Sequence, residues 1–175
     1  MKSWLSLLGL YRYDNTIFDE LVVPAEVVKS DLTDMTKEEL KNYLPHREPM
    51  LLIDEIDIDD QHVAHSKYHV RGDEFFLQGH FPGNPVVPGV ILCEIMAQSC
   101  ALLMKDDLPG KLTFYTGINN VRFKNQVLPG DTIEVEAVLT AHRANIYFCD
   151  AKLSVAGKQC VSGSLSFALV PRPEK

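Results

Sequence analysis

His80 and Glu94 stand fourteen residues apart in the segment GHFPGNPVVPGVILCEIMAQ, residues 79–98. An imidazole titrates near neutrality and can accept a proton under physiological conditions. A carboxyl set in an apolar helix is costly to keep charged, so burial raises its proton affinity and suits it to give a proton away. Together they make the base and the acid that proton-transfer chemistry needs. Gln98 lies four residues beyond Glu94 on the same helical face, where its amide can hydrogen-bond the carboxyl and fix its orientation. The plainer readings stay open: a structural Glu–Gln pair at a wet edge, and a loop histidine that only faces solvent.

Positioning these groups falls to a loop and a helix. Pro82, Pro85 and Pro88 each lock their own φ and push the residues before them, Phe81, Asn84 and Val87, toward extended backbone. Gly79, Gly83 and Gly89 permit backbone geometries and close approaches that other residues resist. The loop is therefore pre-set, although Pro and Gly also serve as plain punctuation between a strand and a helix. Pro88 fits the first turn of a helix over residues 88–105, which leaves the amides of Gly89 and Val90 unpaired at the positive end of the helix dipole. Such amides can hold a carbonyl oxygen as it gains negative charge. Between residues 90 and 104 the helix is apolar on all sides except at Glu94, Gln98 and Ser99. It must lie inside the molecule, with help from a second subunit.

The rest of the chain supplies a sheet to enclose that helix. MLLIDEIDI (50–58) and HVAHSKYHV (62–70) read as two strands around a turn at Asp59, Asp60 and Gln61. After the helix and a Leu108-Pro109-Gly110 break come LTFYTGINNVRF, DTIEVEAVLTA, NIYFCDAKLSV and QCVSGSLSFALV, four strands expected in meander order. The fold class is α+β, an antiparallel sheet wrapped around one long central helix. Residues 1–42 differ in composition and read as an accessory segment packed on the core, with a capping-box pattern at Thr36 and Glu39 opening a short helix before Pro45; residues 43–175 form the domain.

Composition narrows the classes. With 175 residues, 46% hydrophobic and 23% charged, the chain suits a single globular domain. A net charge of −7 opposes nonspecific nucleic-acid binding. No apolar run is long enough for a bilayer, and the apolar start of the chain is too short, and lacks a small-residue cleavage site, for a signal peptide; a cytoplasmic location is expected. Cys93, Cys100, Cys149 and Cys160 contain no C-x-x-C pair, and with Gly157-Lys158 as a hairpin turn Cys160 faces Val155 rather than Cys149, so reduced thiols are expected.

Three blocks in order, LPHREPMLLIDEI (44–56), GHFPGNPVVPGVILCEIMAQ (79–98) and GINNVRFKNQVLPGD (117–131), resemble the β-hydroxyacyl-acyl-carrier-protein dehydratases of the hot-dog fold. The resemblance covers roughly residues 43–170. It implies a hot-dog domain that dehydrates 3-hydroxyacyl thioesters, carried on the phosphopantetheine arm of an acyl carrier protein, to trans-2-enoyl thioesters in fatty acid biosynthesis. It places the catalytic base on His80 and the acid on Glu94, of the glutamate type. The carbonyl-polarising amide falls on Gly89, with Val90 beside it, the carbonyl that orients the histidine on Val86, and the acid-holding glutamine on Gln98. A tyrosine that gates the acyl tunnel in several relatives aligns with Phe114, and Tyr115 is its neighbour. The resemblance also implies a homodimer whose sites draw His80 and Glu94 from different subunits, a trimer of dimers beyond it, and no metal or redox cofactor. Arg122, Lys124 and Arg143 are the basic residues expected to meet the acidic carrier, and His46 and Arg47 carry no assigned role.

Three other functions compete: a hot-dog acyl thioesterase in which a carboxylate activates water, an enoyl hydratase acting on coenzyme A thioesters, and a non-catalytic hot-dog module. The thioesterase would not need the His80 loop.

Overall fold

A helix that is apolar all round needs a surface able to close around it, and a curved antiparallel sheet is one. The computed structural model describes residues 35–173; expectations about residues 1–34 lie outside the described residues. Strand β1 (Met35–Thr36) leads into a short helix α1 (Lys37–Leu40), followed by β2 (Glu55–Ile58), β3 (Ala64–His69), the central helix α2 (Gly89–Cys100), then β4 (Lys111–Phe123), β5 (Thr132–Arg143), β6 (Ile146–Val155) and β7 (Lys158–Pro171). The strands form one sheet in the order β1-β2-β3-β5-β6-β7-β4, each pair antiparallel.

Alternation along the strands decides which face turns inward. Ile133, Val135 and Ala137 of β5, and Cys149, Ala151 and Leu153 of β6, are buried, and the register sets Ile133 against Val155 and Val135 against Leu153. This face packs on α2, which lies against β3, β5 and β6 and buries Leu92, Ile95, Met96 and Cys100. Leu92, Ile95 and Met96 each contribute about 1.5–3 kcal/mol by leaving water. At the near end of the chain, Glu39 accepts both the amide and the hydroxyl of Thr36, Met35 pairs with Ile56, and Leu40 is fully buried, so residues 35–42 pack on the core.

Several expectations need correction. The strand read from residue 50 begins at Glu55, because Gln98 on α2 takes the polar groups that a neighbouring strand would otherwise pair: its Oε1 accepts the Leu52 amide and its Nε2 donates to the Met50 carbonyl. The strand read from residue 62 begins at Ala64, since the Asp59 carboxylate gathers the amides of Gln61 and Val63 into a turn. The four later strands are not a simple meander: β4 leaves the helix to pair with β7 at the sheet edge, and residues 124–131 carry the chain back to β5 beside β3. That return is fixed where Lys124 donates to Cys160, and Gly130 to Val70. The α-helix stops at Cys100 and tightens into a 3₁₀ stretch, Ala101–Asp107, while Pro88 caps its start rather than forming its first turn. The β6–β7 turn is Ala156-Gly157, with Val155 opposite Lys158, so Cys160 does not face Val155; Cys149 lies opposite Leu165, and all four cysteines are free and buried.

Candidate active site

The loop before α2 is built around His80. Glu74 anchors its approach: this buried carboxylate accepts the amides of Arg71 and Gly72 and the Tyr68 hydroxyl. Burial pushes the Glu74 pKa up, but these donors outweigh it and hold the carboxyl below its usual range. Residues 81–84 then form a turn in which Asn84 donates to the Phe81 carbonyl, with Pro82 at the second position and Gly83 at φ +79° at the third, a conformation that favours glycine. The turn brings Val86 back onto His80, where the Val86 amide donates to the His80 carbonyl and the Val86 carbonyl lies 2.9 Å from His80 Nδ1. A carbonyl only accepts, so Nδ1 carries the proton and a neutral ring leaves its Nε2 lone pair free to accept one. The ring stacks on Phe81 at 4.2 Å.

Val87 donates to Val127, which ties the loop's end to the returning segment just before the helix begins. The Pro88 carbonyl accepts the amides of Ile91 and Leu92, whereas those of Gly89 and Val90 have no acceptor among the described residues. Phe123, at the end of β4, sits directly over this start: a Cβ on Gly89 would lie 2.9 Å from its ring. Position 89 therefore has room for glycine only while the ring stays where it is. Gly89→Ala should push the ring aside and lower kcat/KM by roughly tenfold. Phe123→Leu in the same chain should recover part of the loss in steady-state kinetics, whereas no recovery would separate the two positions.

One turn further on, Glu94 Oε1 accepts from Gln98 Nε2 at 2.9 Å. The Leu52 and Met50 partners of Gln98 settle which end of its amide is which, so this donor is unambiguous. Glu94 is not sealed from solvent as its apolar helix suggested; its side chain keeps 20% of its exposure. A residue without a role in the sequence also reaches it: His46 Nε2 lies 3.4 Å from the same Oε1. Burial lowers the His46 pKa, the nearby Glu94 opposing and Arg47 adding to the shift. Arg47 itself binds the carbonyls of Lys41, Leu44 and His46, which fixes the segment that carries the ring. Beside them, burial and then Glu94 push the thiol of Cys93 and the phenol of Tyr115 up. The family-like LPHREP stretch and its bracketing Pro45 and Pro49 were the sequence signals near His46, and nothing local links it to residue 94.

The remaining expected residues divide. Val90 is 76% exposed at the helix start. The Tyr115 hydroxyl donates to the Cys93 carbonyl on α2 and its ring lies against Phe167, so it faces the helix. Phe114, next to it on the strand, is directed to the opposite face and exposed, and does not join the helix-side cluster in this chain. Arg122 and Lys124 are exposed beside Phe123, but Arg143 closes β5 at the far end of the sheet, where Ile146 pairs with Ala168 and Ala168 with Phe114. These three do not form one patch within a chain. No hydrogen bond or ion pair joins His80 to Glu94 among the described residues. A cavity of about 240 Å³ lined by Glu55, Asp57, His65, Lys67 and Glu136 lies on β2, β3 and β5, away from both. Among the described residues no group of three or more His, Cys, Asp or Glu side chains is placed to hold a metal ion, and no helix is long and apolar enough to cross a membrane.

An antiparallel sheet closed round one helix, with a histidine loop at the helix start, defines a hot-dog protein. Solved structures share that architecture. The dehydratase heterocomplex ApeI:P from Xenorhabdus doucetiae superposes with a TM-score of 0.62 at 22% identity, covering 78% of this chain and 91% of that one. The fluoroacetyl-CoA thioesterase FlK does so with a TM-score of 0.55 at 17% identity, over 62% and 85%. At such identities the likeness speaks for the fold alone. Sequence relatives go further: the 3-hydroxyacyl-[acyl-carrier-protein] dehydratase FabZ of Clostridium perfringens is 43% identical over 77% of this chain and 99% of its own, and that of Streptococcus uberis is 42% identical over 75% and 95%. The FabA-like domain family matches residues 44–164, and the chain belongs to it.

Proposed function

We propose that this chain dehydrates 3-hydroxyacyl thioesters of acyl carrier protein to trans-2-enoyl thioesters in fatty acid biosynthesis, the reaction for which its relatives are named. The observation that carries the reading is the His80 ring, locked by Val86 with Nε2 bare, in the loop that runs into the free Gly89 amide. His80 Nε2 takes the proton from C2 of the substrate. The Gly89 amide, at the positive end of α2, holds the thioester oxygen as charge develops on it. Glu94 gives its proton to the C3 hydroxyl, the C3–O bond breaks, and water leaves as the C2=C3 bond forms. The protons pass between His80 and Glu94 through solvent to reset the pair, so the scheme calls on no metal or redox cofactor. Following the conjugated enoyl thioester spectroscopically tests the reading; release of free thiol with no enoyl product would replace it with a thioesterase.

The site is read as shared between two copies. Edge strand β4 buries none of its residues and exposes Phe114, Ile118 and Phe123, and among the described residues no hydrogen bond or ion pair joins His80 to Glu94. A second subunit against β4 would bring one protomer's His80 to its partner's Glu94 and close an acyl tunnel along α2, with a trimer of dimers as the larger assembly. A cytoplasmic location suits the four free thiols.

The carrier is acidic, and Arg122 and Lys124 are exposed on either side of Phe123, whose ring lies over Gly89 at the helix start. Reversing both charges to glutamate should lower kcat/KM for carrier-bound substrate by about tenfold at low salt and less at high salt. The same substrate on a short pantetheine thioester should be turned over as before. An equal loss with both substrates would remove these residues from carrier binding.

A further inference from the structure

His46 is a feature the proposed chemistry leaves unused. Its ring reaches Glu94 from the loop between α1 and β2, its backbone carbonyl is clamped by Arg47, and its Nδ1 is buried with no hydrogen-bond partner. That lone ring nitrogen decides the protonation state. With Nε2 facing a carboxyl oxygen, a neutral ring puts its single proton on Nε2 and leaves Nδ1 a bare acceptor. A charged ring would bury an N–H at Nδ1 that has nothing to bond, beside the Arg47 guanidinium, and the lowered pKa from burial agrees. The ring is thus neutral, with its proton on Nε2, which lies 3.4 Å from Glu94 Oε1, rather than on Nδ1.

We infer that His46 is a positioning residue for the acid: with Gln98 it saturates Glu94 Oε1, so that the transferable proton resides on Oε2 and faces the departing hydroxyl. The inference rests on the dehydratase reading above. Gln98 Nε2 donates to Oε1 at 2.9 Å and His46 Nε2 lies 3.4 Å from the same oxygen, within reach of a second bond, while Oε2 has no partner among the described residues. As Oε2–H passes its proton to the C3 oxygen and water leaves, Glu94 becomes a carboxylate, the Gln98 bond becomes charge-assisted and the His46 N–H is drawn onto Oε1. Both interactions strengthen on the way to the transition state, which places the effect in kcat rather than KM. The groups facing Glu94 are His46 with Arg47 behind it, Cys93 on its own helix and Tyr115 from β4, so His46 is the one ionisable donor among them that can bond the carboxyl directly.

Two measurements decide it. His46→Ala removes a donor to the carboxylate; kcat should fall on the order of tenfold with KM within about twofold. Removing a donor that favours the charged carboxylate should also move the alkaline limb of the kcat profile to higher pH. His46→Gln, which offers an N–H at a similar reach, should restore most of the rate and return the limb. Independently of any variant, nitrogen NMR of the wild-type imidazole at neutral pH should show a proton on Nε2 and none on Nδ1. Unchanged kcat and limb in His46→Ala, or an Nδ1–H tautomer in the wild type, overturns the assignment, and should His46→Ala fail to fold the NMR result alone decides. A wild-type protein without enoyl turnover would instead sink the dehydratase reading, so the two failures are distinct.

Discussion

His80→Ala leaves a folded protein that dehydrates 3-hydroxyacyl thioesters about 10²–10⁴-fold more slowly than the wild type, the range that loss of a positioned general base produces. Folding survives because little of the loop depends on the imidazole. The ring contributes one hydrogen bond to Val86 and a stack on Phe81, which is itself 57% exposed. The backbone bonds that shape the loop, Asn84 to Phe81, Val86 to His80 and Val87 to Val127, use no side chain. Thermal melting should therefore shift by only a few degrees while kcat collapses. Measuring both separates a base from a loop brace: a variant with near-wild-type kcat removes His80 from the chemistry. Loss of rate matched by a large loss of melting temperature would make its role structural.

The parts of this site legible in the sequence are those written locally. The proline spacing that pre-sets the His80 loop, the free amides at residues 89 and 90, and the i,i+4 pairing of Glu94 with Gln98 all lie within twenty consecutive residues and follow from backbone geometry alone. What stayed hidden depends on distant segments meeting. Gln98 spends two of its three hydrogen bonds on Leu52 and Met50, 46 and 48 residues away, and those bonds turn a hydrophobic run that reads as strand into an ordered coil. The same folding-back delivers His46 to Glu94, and no periodicity near residue 46 announces it. Strand order failed for a related reason. Adjacent strands pair by default, but β4 follows a helix that fills the sheet's concavity, and its place at the far edge beside β7 is set by the return of residues 124–131. Arg143 shows the cost: a basic residue near the others in the list of strands sits at the opposite end of the sheet.

Glu94→Gln should lower kcat by about 10²–10⁴ with an almost unchanged melting temperature, because the substitution removes the acidic proton and little else. The amide oxygen can still accept from Gln98 where Oε1 did, with His46 as near as before, and the side chain keeps its size and its partial exposure. What it loses is an O–H able to protonate a leaving hydroxyl. The variant also supplies the sharpest test of the shared site. If His80 and Glu94 met within one chain, mixing His80→Ala and Glu94→Gln subunits would restore nothing, since every chain lacks one member of the pair. In a two-fold dimer with crossed sites, half the molecules at random pairing are mixed, and each mixed dimer holds one site with both residues intact. Co-refolding the two inactive variants in equal amounts should then recover roughly a quarter of the wild-type activity. Recovery follows from the exposed β4 edge and the lack of a His80–Glu94 hydrogen bond or ion pair among the described residues only if a second copy packs there; a mixture as inactive as its parents would return both residues to a single subunit and leave that edge to some other role.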